Sequence, residues 1–219
     1  MWRGPQHPIP GNLIRTIQHA GGYVFGGYDP TGVMLAVSIG LLSTQGLHSH
    51  ITGVAPTGQR RGLGFALKQH KRQWALERDF TTVTWTFDPL VRRNAVFNLH
   101  ALGAHVGAYL PDHYGAMDDG VNAGDESDRL ELRWDLLSPR ALAAAEGRLP
   151  LLESDLPRAV INGASGLPVT QAVEGLPRRV QLPADIEALR RGDPAAGRAV
   201  PDVLRDPDLA GGAAAARDG

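Results

Sequence analysis

The sequence predicts an α+β fold: a mixed, mostly antiparallel β-sheet flanked by helices, with an appendage at its C-terminal end. Three observations carry that expectation. The runs Tyr23 to Tyr28 and Val33 to Leu42 flank the turn Asp29-Pro30-Thr31-Gly32 and so read as an antiparallel hairpin. A third run, His48 to Val54, passes through a glycine-bearing turn into the strongest helical segment, Leu63 to Arg78. After Leu137 the texture changes to an alanine-rich stretch and then to segments broken by Pro150, Pro157, Pro168, Pro177 and Pro183.

In chain order, apolar residues at 13, 14 and 17 and the stop Gly21-Gly22 predict a helix from Pro10 to Ala20. The helix from Leu63 to Arg78 sets Leu63, Ala66, Leu67, His70 and Trp74 on one side, facing the sheet, and Lys68, Lys71, Arg72 and Arg78 largely elsewhere. Thr81 to Phe87 reads as a buried strand closed by Asp88-Pro89. Arg93 to Leu102 is the next helix, with Val96, Leu99 and Leu102 inward and Gly103 at its C-cap. Ala104 to Tyr109 and Arg129 to Leu136 complete the strands, the latter alternating Leu130, Leu132, Trp134 and Leu136 on one face. The acidic loop 115–128 departs from the calcium-loop template and reads as solvated or substrate-gating. The expected organisation is a core over 1–138, an appendage over 139–191 and a mobile Gly/Ala/Pro-rich tail over 192–219. The appendage is expected to add a strand at Val180 to Leu182 and a short helix at Ala184 to Arg191.

Composition bounds the function. A chain of 219 residues can bury one sizeable core, and 22 basic against 23 acidic residues suggest neither nucleic acid nor an anionic membrane as partner. A small molecule is the better default. With no cysteine, disulfides, thiolate metal sites and thiol nucleophiles are excluded together. The first residues carry no apolar signal region, and no stretch approaches the roughly 20 apolar residues of a membrane span. A cytoplasmic protein is the expectation.

The stretch Val54 to Gly64 passes from a strand through a glycine-bearing turn into a helix, whose first backbone N–H groups have no partner within the helix. Gly62 and Gly64 let an anion approach that backbone, and Gln59, Arg60 and Arg61 add side-chain donors, which suits a diphosphate. A P-loop is excluded, since Phe65-Ala66 stands where Lys-Ser or Lys-Thr is needed, and a dinucleotide fingerprint fails at Leu67.

The pattern resembles Q/R-x-x-G-x-G/A, the coenzyme A pyrophosphate loop of the GNAT superfamily of N-acyltransferases, here at Gln59, Gly62 and Gly64. Downstream, Arg93-Asn94-Ala95-Val96-Phe97-Asn98-Leu99-His100-Ala101-Leu102-Gly103-Ala104 is similar to the superfamily's second motif. His48-Ser49-His50, Trp85 to Leu90 and Ser127-Asp128-Arg129-Leu130 look like one subgroup of predicted GNAT proteins, some of them N-acyl- or N-succinyltransferases of amino acids. The resemblance covers roughly residues 2 to 138 and implies acetyl-CoA or another acyl-CoA as co-substrate, a small-molecule amine as acceptor and no metal. It also implies that the family's first strand is missing before Trp2, and an edge strand so uncovered would favour a homodimer.

On that resemblance, Gln59, Arg60, Arg61, Gly62, Leu63 and Gly64 hold the diphosphate, and the backbone of Gly53, Val54 and Ala55 pairs with the pantetheine amides. Asn94 and Asn98, four apart, offer amides to the pantetheine arm or thioester, against an N-cap for Asn94 and a satisfied buried amide for Asn98. The tyrosine that many members carry four residues before the glycine is Leu99 here, so Tyr109, Tyr114 or solvent must protonate the departing thiolate. His48 and His50, on one strand face, or Asp88 supply the base; Asp88 could instead bind the substrate ammonium or cap the turn before Pro89. His48 and His50 as a metal pair lack an obvious third ligand. Arg92, Arg93 and Arg129 are the candidate anchors for an acceptor carboxylate or a succinyl group. Beside the enzyme stand two other readings, a degenerate acyl-CoA-binding or regulatory module and an interaction protein without ligand.

Overall fold

Asp29 organises the first turn: its Oδ1 accepts hydrogen bonds from Thr31 N at 2.8 Å, Thr31 Oγ1 at 2.7 Å and Val33 N at 3.0 Å. Gly32, at φ 87°, supplies the left-handed residue the turn needs. The turn joins β1 (Tyr23–Tyr28) to β2 (Met34–Ser43), which pair antiparallel. This geometry comes from a computed structural model that describes residues 9–115, 127–150, 158–162, 168–170, 179–193, 197 and 205.

Ahead of the hairpin lies α1 (Gly11–His19), whose Ile17 packs with Ile9 and Ile39 against Ile14, Val24, Val37, Leu41 and Ile51. After it, β3 (Gly46–Val54) pairs antiparallel with β2, and β4 (Thr82–Phe87) pairs parallel with β3. The parallel crossover is made by α2 (Leu63–Leu76). With β5 (His105–Leu110) and β6 (Arg129–Asp135) the strands form one six-stranded sheet in the order β1-β2-β3-β4-β6-β5, mixed and mostly antiparallel as expected. Leu132, Trp134 and Leu136 are fully buried, Trp134 edge-on to Trp85 at 6.0 Å between centroids.

The expected single helix over 93–102 is instead a short α-helical turn, α3 (Arg92–Ala95), continuing as a π-helical turn, Val96–Ala101. The wider turn rotates the faces, so Val96 is 49% exposed rather than inward, while Leu102 is fully buried. Gly103 at φ 70° ends it, and a Cβ there would lie 2.7 Å from Arg140 O. Then α4 (Pro139–Ala145) starts at Ser138, whose Oγ accepts from Ala141 N.

Three further strands, β7 (Arg158–Asn162), β8 (Pro168–Thr170) and β9 (Arg179–Val180), make a second sheet in the order β8-β7-β9. The expected strand at Val180 to Leu182 ends at Val180. The expected short helix is α5 (Ile186–Gly192), capped by Asp185 Oδ1 accepting from Ala188 N at 2.8 Å. Most of the loop over 115–128 and of the tail from 192 lies outside the described residues. By contacts the chain divides into two units, one of Met1–Thr86, Asn98–Gly107 and Glu131–Leu149, the other of Phe87–Phe97, Ala108–Leu130 and Pro150–Gly219. Among the described residues no helix is long and apolar enough to cross a membrane.

Candidate functional site

In the first unit the site begins as an irregularity in β3. Ile39 pairs with Ile51 but Gly40 pairs with Ser49, so His50 is an extra residue and β3 bulges there. The parallel ladder with β4 consists of Leu47 with Val83 and His48 with Thr84, and it goes no further although β3 runs on to Val54 and β4 to Phe87. The two strands therefore part at the bulge. Gly53 and Val54 are paired with Val37 and Ala36 of β2, and Ala55 N donates to Leu35 O at 2.8 Å, so one edge of this segment is satisfied by β2.

The bulge also corrects the expectation that His48 and His50 share a face, since it breaks the alternation of the strand. His48 is half-buried with Nδ1 3.0 Å from Thr84 Oγ1, and His50 is exposed. His50 is held below the ordinary histidine range, first by desolvation and second by the charge of Lys71.

Beyond Ala55 the chain makes a tight turn at Pro56–Gly58 and then a second one built on left-handed residues. Arg60 sits at φ 59° and Gly62 at φ 75°, two left-handed residues leading into α2, and Gly62 is its N-cap without a side-chain cap. A Cβ placed on Gly62 would have nothing within 4 Å. Gln59, Arg60, Arg61 and Gly62 are exposed, with Leu63 and Gly64 half-buried behind them. The first-turn N–H groups after Gly62 have no helical acceptor, so backbone donors, open space and two arginines converge at one end of a fourteen-residue helix.

The same helix carries what sequence reasoning missed. Its buried residues are Leu67, Lys68, Lys71 and Ala75, while Ala66 and His70 are exposed, so the inward face is rotated from the expected stripe. Lys71 Nζ lies 2.5 Å from Ser49 Oγ and 3.4 Å from Ile39 O; Lys68 Nζ lies 3.4 Å from Ser49 Oγ and 3.6 Å from the centre of the Trp85 ring. Burial pulls Lys68 down to about 7 and Lys71 well below the ordinary lysine range, the latter helped by Lys68. Only the spacing of two lysines beside Leu67 could have signalled this. Asn98, in the same unit, is buried at 5% exposure.

In the second unit the expected groups are engaged by partners the sequence reading did not name. Asp88 Oδ1 accepts from Leu90 N at 2.9 Å, which caps the turn, and Oδ2 takes Arg190 Nη1 at 2.7 Å. Arg93 forks onto Glu187 with both bonds at 2.8 Å. Between these pairs Leu90, Val91 and Ile186 are buried against Leu182 and Leu189. Asn94 is not an N-cap, because the helix starts at Arg92 with Val91 at that place. Arg92 is exposed and pairs with no carboxylate among the described residues.

Tyr109 donates its phenol to Asp128, which also accepts from Asp112 N at 2.9 Å and pairs with Arg205. Desolvation first, then the Asp128 hydrogen bond and charge, raise the Tyr109 pKa well above the ordinary tyrosine range. Tyr114 is 45% exposed, its N donating to Ser127 Oγ at 2.7 Å and its ring beside the buried Arg129. Arg129 Nη1 donates to Asp128 O at 2.8 Å. Among the described residues no cluster of His, Cys, Asp or Glu could hold a metal ion.

No protein-family model and no curated protein matches the chain. Solved structures do. The ribosomal-protein-S18-alanine N-acetyltransferase from Escherichia coli is 17% identical, with 70% of this chain and 86% of that one covered and a TM-score of 0.48. A GNAT family acetyltransferase from Elizabethkingia anophelis, with acetyl-CoA bound, is 13% identical over 62% and 96%, TM-score 0.47. Naa20 from Chaetomium thermophilum, in complex with a bisubstrate analogue, is 18% identical over 61% and 75%, TM-score 0.47.

Proposed function

We propose that the chain is an acyl-CoA-dependent N-acyltransferase of the GNAT type, moving an acetyl or succinyl group to the amine of a small molecule, an amino acid for instance, by direct attack on the thioester. The observation that carries this reading is one continuous arrangement in the first unit: β3 bulges at His50, leaves β4 after His48, and runs through left-handed Arg60 and Gly62 into the bare N-terminus of α2. A strand edge followed by an anion-binding backbone suits a carrier with an amide-bearing arm and a diphosphate. Open space at Gly62 is what a close backbone approach requires.

The thioester supplies an activated acyl group and a good leaving thiolate. His50, whose lowered pKa favours its neutral form, takes a proton from the acceptor ammonium, so that the neutral amine attacks the thioester carbonyl and the thiolate leaves. Asp88, with both oxygens engaged, fixes the turn that carries Pro89 and Leu90 rather than acting as base. Tyr109 holds its proton too tightly to be a good donor, which leaves Tyr114 or solvent for the thiolate. Arg92 is the proposed carboxylate anchor, since Arg93 is held by Glu187 and Arg129 is buried beside Asp128. Asn94 and Asn98 remain proposed partners of the arm.

Titration calorimetry with coenzyme A, and thiol release from acetyl- and succinyl-CoA against a panel of amino acids and polyamines, test the reading. Binding that Gly62→Val abolishes, together with amine-dependent thiol release, is expected; no heat with coenzyme A overturns it. Leu99 in the usual acid's place favours a second reading, an acyl-CoA-binding module without turnover, for which binding would persist with no thiol released.

A further inference from the structure

Two lysines buried side by side without a carboxylate are costly, and α2 places both at the point where β3 and β4 part. The last ladder pair is His48 with Thr84, and the next residues are Ser49 and Trp85. Lys68 Nζ touches both, at 3.4 Å from Ser49 Oγ and 3.6 Å from the Trp85 ring centre. Lys71 Nζ reaches Ser49 Oγ at 2.5 Å and Ile39 O of β2 at 3.4 Å, the two strands between which the extra residue His50 is accommodated. Lys68 and Lys71 are 4% and 0% exposed, and neither meets an acidic group among the described residues.

We infer that Lys71, with Lys68 beside it, is a positioning residue: its amine staples β2 to β3 across the bulge and so fixes the strand geometry that presents His50 and keeps β3 parted from β4. The staple is a feature of the strands themselves, and its consequence for turnover rests on the acyltransferase reading above. A packed apolar side chain at either position would fill the space but make no bond to Ile39 O or Ser49 Oγ; within the strands Ser38 Oγ reaches Ile51 O at 3.3 Å and Thr52 Oγ1 at 3.0 Å beyond the bulge, and Lys71 is the link from α2 that ties Ser49, ahead of the bulge, to β2. Lys71 also sets the charge felt by His50. β2 and β4, which flank β3, carry no titratable side chain, and α2 contributes Lys68, Lys71, His70, held by Tyr23 OH at 2.9 Å, and Arg72, which donates to Leu136 O at 2.8 and 3.0 Å. His48, on the same strand as His50, is tied to Thr84.

The test uses the full chain and two variants, Lys71→Met and Ser49→Ala, which remove the same bond from opposite sides, so that one suffices if the other does not fold. Amide hydrogen exchange over Ser49 to Val54 is expected to quicken about tenfold in each, with β1 unaffected. Acyl transfer by Lys71→Met is expected to lose about tenfold or more in kcat, and the acidic limb of its pH–rate profile to move to higher pH as His50 loses the second cause of its lowered pKa. Wild-type exchange in a folded variant overturns the staple whatever the chain's activity. An unmoved acidic limb with unchanged kcat, in a wild type that does turn over, overturns the positioning role alone; a wild type that binds no coenzyme A overturns only the acyltransferase reading, because exchange still decides the staple.

Discussion

The second unit buries carboxylates against arginines, whereas the first buries two lysines against a hydroxyl, a carbonyl and an indole face. Asp88 and Arg190 meet at 2.7 Å with side chains 11% and 8% exposed, and Asp128 is satisfied by Arg205, Tyr109 and Asp112 N. Among the described residues Lys68 and Lys71 have Ser49, Ile39 O, the Trp85 ring and, for Lys71, the Tyr23 ring at 5.0 Å. The contrast separates two ways of meeting the cost of desolvation. A matched pair keeps both charges, because each stabilises the other's ionised form. An unmatched amine moves toward its neutral form, which is why Lys68 falls to about 7.

The comparison breaks most visibly at Asp88. Asp88→Ala removes the carboxylate that pairs with the buried Arg190 guanidinium and is expected to destabilise the protein by about 3 kcal/mol, read by urea unfolding; Asp88→Leu with Arg190→Met is expected to recover most of that loss. If the single variant costs as little as the double, the pair is not the matched system described. Lys68→Met is expected to act in the opposite sense, raising stability by about 2 kcal/mol at pH 6. Its sign follows from linkage. With a folded pKa near 7 against 10.5 unfolded, the unfolded chain binds more protons between those values, so native stability rises with pH across that window and is lowest below it. The gain from Lys68→Met is therefore full below about pH 7 and vanishes near pH 10.5, which thermal unfolding at the two pH values checks.

Smaller effects sharpen the same contrast. Tyr109→Phe removes one of several donors to Asp128 and is expected to cost about 1.5 kcal/mol, measured by the same unfolding. Arg93→Ala breaks a pair whose side chains are 64% and 23% exposed, so about 0.5 kcal/mol is expected, disappearing in high salt. A loss as large as that at Asp88 would place this exposed pair among the matched buried charges.

Legibility followed the range of the forces involved. The hairpin about Asp29, the stop at Gly21-Gly22 and the short helix expected over Ala184 to Arg191 were readable because the residues that make each one lie within a few positions of each other. The glycine loop was readable for the same reason, since Gly62 needs only its own backbone freedom and the helix behind it. The partners of Asp88 and Arg93 lie about a hundred positions downstream and leave no trace in the neighbouring sequence. The π-helical turn was missed because a period of apolar residues does not distinguish it from an α-turn over so short a span.

By itself the amino-acid order determined most elements of the six-stranded sheet, the α+β class and the glycine turn at the head of α2, because local conformational preference and periodic burial suffice for these. Tertiary structure alone decided that Lys68 and Lys71 turn inward, that β3 gains a residue at His50, and which charges are matched. Those outcomes depend on contacts between segments remote in the chain, such as Lys71 with Ser49 and Ile39 O or Arg190 with Asp88, where no spacing rule reaches.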